Sequence, residues 1–170
     1  MTDQREEVRS LAAIKIGINK MKTCESGLIA ALEDQSETVR RIAALALVDI
    51  DTIRGLAAVV AGNNHGHAVR TQAANRLQKR GFEAAEAIPG LLALLRFRQI
   101  NWRSHLAAVD ALAAIGEPAI PFLVHALTNG EPQLRRYAGA VLKFIGKSME
   151  FSELIEKELE WPEDESRSCF

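Results

Sequence analysis

The chain has 170 residues and a formal net charge of −1, which argues against a general electrostatic attraction to nucleic acid. Its length suits one domain, or a stack of short units sharing one core. Two distant cysteines, Cys24 and Cys169, without metal-ligand spacing, no secretory apolar region and no membrane-length apolar run make a reducing cytoplasm the expected location.

In chain order, Asp3 and Glu6 have capping-box spacing ahead of a first helix carrying Val8-Arg9-Ser10-Leu11-Ala12-Ala13. A leucine-rich segment, Leu28-Ile29-Ala30-Ala31-Leu32, follows, and then Val39-Arg40-Arg41-Ile42-Ala43-Ala44. The alternation continues with Leu56-Ala57-Ala58-Val59-Val60 and Val69-Arg70-Thr71-Gln72-Ala73-Ala74. Beyond Leu91-Leu92-Ala93-Leu94-Leu95 lies an irregular copy near Trp102. Leu123-Val124-His125-Ala126-Leu127 and Leu134-Arg135-Arg136-Tyr137-Ala138-Gly139 complete the series. Apolar residues four apart share a helix face, so both segment types read as short amphipathic helices. They are called Ala-type and Leu-type below.

The irregular copy admits two registers. Aligning Trp102-Arg103 with Val-Arg leaves Gly116 two residues late. Aligning Ser104-His105 places His105 eleven residues before Gly116, as Arg70 precedes Gly81 and Arg135 precedes Gly146. It also matches Ala108, Leu112 and Ile115 to Ala138, Leu142 and Ile145, and is preferred, with the helix running back through Trp102. Gly81, Gly116 and Gly146 fall where a left-handed cap favours glycine, and Pro118, Pro121 and Pro132 fall at helix starts. The small alanines let neighbouring helices approach closely. The expected fold is all-α, a single repeat domain over residues 3–160. Phe151, Leu154, Ile155 and Leu159 form the apolar stripe of a terminal capping helix. Residues 161–170 read as an acidic, frayed or disordered tail.

These features resemble HEAT repeats, and especially the short HEAT-like repeats of phycobilisome lyases. The most specific match is Ile115-Gly116-Glu117-Pro118-Ala119-Ile120-Pro121-Phe122-Leu123, which looks like the junction between consecutive units. The resemblance implies a right-handed α-α superhelix, an armadillo-type α solenoid of about five stacked hairpins. It further implies a ladder of hydrogen bonds between units, with a polar residue six before each basic one. The pairs are Asp34 and Arg40, Asn64 and Arg70, Gln99 and His105, Asn129 and Arg135. Only the first keeps the family's Asp–Arg combination.

Candidate chemical sites are sparse. His65-Gly66-His67 could bind zinc only if other ligands converged, and reads as a loop. His125 reads as a helix-face residue and His105 as a structural one. Seven basic residues between Arg70 and Arg103 (Arg70, Arg76, Lys79, Arg80, Arg96, Arg98, Arg103) face two acids, Glu83 and Glu86, whereas residues 148–170 are acidic. The basic stretch is a competing surface for an acidic partner, and ordinary solvated faces are the simpler reading. Trp102, Asp110 and Arg136 supply the residue types used by HEAT-like alkylpurine DNA glycosylases, without a matching motif. Neither a Gly-x-Ser-x-Gly nucleophile motif nor a phosphate loop occurs.

The expected function is therefore a non-catalytic scaffold that binds a protein or peptide, as a monomer or weak oligomer, with no cofactor, metal or membrane partner. The resemblance implies that Ala-type helices line the concave face. Their third and seventh positions would then form the binding strip: Arg41, Leu45, Thr71, Asn75, Leu106, Asp110, Arg136 and Ala140. Alternatives carried by the resemblance alone are a bilin lyase or pigment-handling subunit, and an alkylpurine DNA glycosylase-like enzyme.

Overall fold

A computed structural model describes residues 3–62, 66–96 and 102–146. Among them all regular structure is helical: α1 (Asp3–Ile18), α2 (Glu25–Ala31), α3 (Glu37–Ile50), α4 (Ile53–Ala61), α5 (His67–Arg80), α6 (Ile88–Arg96), α7 (Trp102–Ile115), α8 (Ile120–Asn129) and α9 (Pro132–Phe144). Short 3-10 turns at Lys22–Cys24, Gly81–Ala87 and Glu117–Ala119 lead into α2, α6 and α8. The expected terminal capping helix and the acidic tail lie outside the described residues.

The two segment types sort into two rows. The Ala-type helices α1, α3, α5, α7 and α9 stand side by side in chain order. Each Leu-type helix, α2, α4, α6 or α8, packs on the Ala-type helix that follows it. This is the all-α, HEAT-like solenoid of stacked hairpins expected from the alternation. The core lies between the rows. Leu28, Leu56, Leu91 and Leu123 reach it from one row, and Leu47, Leu77, Leu112 and Leu142 from the other, all buried. Ala43, Ala73, Ala108 and Ala138 are fully enclosed, so helix axes approach where a larger side chain would hold them apart. At one contact even alanine is too large: a Cβ on Gly17 would lie 2.9 Å from both Cα and Cβ of Ala46, where α1 meets α3.

Local chemistry sets the helix boundaries. Ser36 caps α3 by accepting from the Val39 amide (3.4 Å), and Thr52 caps α4 by accepting from the Gly55 amide (3.2 Å). Pro132 occupies the first turn of α9. Asp3 falls inside α1, not ahead of it as the capping-box spacing implied.

Each Ala-type helix is followed by one residue of positive φ: Lys20 (48°), Asp51 (60°), Gly81 (53°), Gly116 (75°) and Gly146 (77°). These stand eleven residues after Arg9, Arg40, Arg70, His105 and Arg135, so one register runs through all five units. Burial follows it in the irregular copy: Ser104 and His105 are buried, whereas Trp102 and Arg103 are exposed. The glycines depart from the expected left-handed cap in one respect. Gly81 and Gly116 take ψ of −130° and −132°, a region open essentially to glycine alone, and Asp51 (ψ 41°) is the left-handed residue.

Candidate protein-interaction surface

The positions following the basic residue turn away from the core along the Ala-type row. Arg41, Asn75 and Arg136 are exposed, and Thr71, Asp110 and Ala140 are half-buried. Leu45 and Leu106 are 41% and 49% exposed, on helices whose opposite faces are core. In α1 the same register holds Ser10, which is buried, and Ile14, which is 39% exposed. The strip thus carries aliphatic side chains at α1, α3 and α7 among guanidinium, amide and carboxylate groups. Thr71 contributes least to an open surface. Its hydroxyl lies 2.9 Å from the His67 carbonyl and 2.8 Å from the Ser104 hydroxyl, tying α5 to α7.

Behind the strip the basic residues brace the turns. Arg40 Nη1 donates to the carbonyls of Asp34 (2.7 Å) and Gln35 (3.0 Å). Arg70 Nη1 donates to Gly62 O (3.1 Å), and Arg135 Nη1 to Gly130 O (3.4 Å). Each guanidinium therefore takes up carbonyls between its own Leu-type and Ala-type helices, where the first helix leaves acceptors unsatisfied. Arg70 is buried, and that burial pushes its guanidinium below the ordinary arginine value. Its Nη2 also donates to His67 Nδ1 (3.2 Å), placing His67 in this brace.

At the two rungs whose residues are described, Asp34 with Arg40 and Asn129 with Arg135, the contacts differ from the side-chain pairs inferred from sequence. Asp34 meets Arg40 through its main-chain oxygen. Its carboxylate accepts from Arg9 of the preceding unit instead, at 2.7 and 2.9 Å, and from the Ser36 amide at 2.9 Å. The hydrogen bond from Arg9, with the Ser36 amide next, holds the Asp34 carboxyl below the usual carboxylate range. Asn129 stays on its own helix, donating to His125 O (3.3 Å) and Thr128 Oγ1 (2.8 Å). His105 is buried and stacks on Tyr137 with ring centres 5.0 Å apart. Gln133 reaches the same place and donates to Leu95 O at 3.1 Å, linking α9 to α6. Asn64 and Gln99 lie outside the described residues.

The described residues of the basic stretch differ in exposure and pairing. Arg70 is internal, and Arg76 and Arg80 pair with Asp51 at 3.4 and 2.6 Å. Arg103 lies over the Trp102 ring, 5.5 Å from its centre. Arg98 and His65 are outside the described residues. Trp102 and Asp110 are two helical turns apart on α7, about 12 Å along the axis, so they do not converge as the glycosylase constellation would require. Among the described residues no three His, Cys, Asp or Glu side chains cluster to hold a metal ion, and no single helix is long and apolar enough to cross a membrane.

Sequence reasoning missed Asp51, which closes α3 and anchors two arginines of α5. The signal available was its place eleven residues after Arg40, where later units carry glycine.

No curated protein matches the chain in sequence. Residues 65–143 match the family model described as HEAT repeats. That match, over α5 to α9, supports the HEAT repeat family for this stretch, within a chain whose described helices stack as a HEAT-like solenoid.

Proposed function

We propose that this protein is a non-catalytic scaffold that binds another protein, or a peptide from one, along the outer face of its Ala-type row. The observation that carries this reading is the exposure of Leu45 and Leu106 on otherwise core-forming helices, in register with Arg41, Asn75, Asp110 and Arg136. Aliphatic anchors framed by polar groups suit a protein surface, and helices fixed by a continuous core present that area with little ordering cost. The mixed charge of the strip does not match a phosphate backbone. The sequence of the junction Ile115–Leu123 resembles that of the short HEAT-like repeats of phycobilisome lyases, and pigment handling would register as binding of an open-chain tetrapyrrole by the purified chain.

The test compares wild type with the Arg41→Glu/Arg136→Glu double variant in pull-downs from the native host, quantified by mass spectrometry. A partner held by wild type and lost by the double variant, with melting temperature unchanged, is the expected result. Once that partner is purified, Leu106→Ala weakens binding by about 2 kcal/mol. Undiminished retention by the double reversal, with loss on reversing Arg96 and Arg98, rejects the Ala-type face.

A further inference from the structure

The Leu-type row is unevenly closed. One residue before the first leucine of each segment stand Gly27, Gly55, Gly90 and Phe122. Where α6 meets α4, a Cβ on Gly90 would lie 2.8 Å from the Ala57 carbonyl oxygen and 3.1 Å from Val60 Cγ2, so glycine permits the contact. At the next joint the same position carries Phe122, 46% exposed. Here α8 stands off from α6, and a cleft of about 500 Å³ lies between them. Its surface is largely apolar, with Leu92, Ala93, Phe122, Ala126 and Leu134 among the lining residues and Arg96 and His125 as the groups that can carry positive charge. Among the described residues no acidic side chain lines it and Arg96 has no ion-pair partner.

We propose that this cleft binds a small amphiphilic carboxylate, with its apolar body against Ala93 and Phe122 and its carboxylate on Arg96. The cleft's volume falls within the about 300–1,000 Å³ common for small-molecule sites. Charge decides the polar end. A guanidinium pairs with a carboxylate through two parallel hydrogen bonds, and no acid among the cleft's described residues competes for it. The His125 ring N–H offers a further donor. The site is distinct from the Ala-type face and independent of any partner bound there.

Calorimetric titration of the full chain with decanoate, and with decan-1-ol as its uncharged counterpart, tests the assignment. Wild type is expected to bind one decanoate saturably, and Arg96→Gln to weaken it about tenfold or more. The same variant changes decan-1-ol binding by less than about twofold, because the alcohol has no charge to pair. Ala93→Phe fills the cleft and abolishes binding of both, with folding checked by circular dichroism. Arg96 is exposed, so its variant still reports if Ala93→Phe fails to fold. Three outcomes overturn the proposal: no saturable decanoate binding below about 1 mM, equal affinity in Arg96→Gln, or equal affinity in a folded Ala93→Phe.

Discussion

The carboxylate of Asp34 collects donors from two units, the Arg9 guanidinium and the Ser36 amide. Its pKa is depressed on folding, so it contributes stability that is complete above the unfolded aspartate value of about 3.9 and is lost as pH falls through the lower native value. Asp34→Asn should therefore melt below wild type at pH 7, and the two melting curves should converge as pH is taken well below 4. A gap that stays constant down to pH 2 would mean that the carboxylate charge contributes nothing. Two arginines of the Ala-type helices, Arg70 on α5 and Arg41 on α3, divide by burial. Arg70→Ala empties a buried site and leaves the part-buried Gly62 carbonyl without this donor, at a cost on the order of 1–3 kcal/mol. Arg41→Ala removes an exposed side chain and should stay within roughly 0.5 kcal/mol. Equal denaturant midpoints for the two variants would contradict this assignment.

At the scale of the helix, glycines that look alike in sequence differ in what surrounds them. Gly17 sits where α1 crosses α3 within contact distance of Ala46, so Gly17→Ala should destabilise by about 1–3 kcal/mol despite alanine's better helix propensity. A Cβ on Gly27 meets nothing within 4 Å, and Gly27→Ala should stabilise by about 0.5–1 kcal/mol. Urea midpoints of the two variants, read against wild type, should move in opposite directions. Much at this scale was legible in the sequence: the alternation of segments, the Ser104-His105 register and the glycine and proline punctuation all report local backbone demands. The Arg9–Asp34 bond was not, because residues 25 apart meet only after two helices have folded back on each other. Lys20 and Asp51 escaped for a different reason. Positive φ is inferred from glycine, and here side chains with a Cβ take it, at about 1–2 kcal/mol each. The candidate strip was legible as a helical register, whereas the exposure of its leucines needed the neighbouring helices in place.

Across the whole molecule, Phe122 makes one joint unlike the others. Stability in a linear array is nearly a sum of unit and neighbour terms, so a joint closed on one row alone weakens the coupling across it. The hairpin of α8 and α9 is held to the rest chiefly by α9 against α7 and α6. It should therefore open as a separate foldon, below the free energy at which α4 to α7 unfold. Native-state hydrogen exchange measures this directly: amides of α8 should exchange at lower denaturant than those of α4 and α6. One common exchange isotherm for all helices would show instead a single cooperative unit. A phenylalanine standing where neighbouring joints carry glycine would then act as a fuse, setting where the stack of described helices yields first.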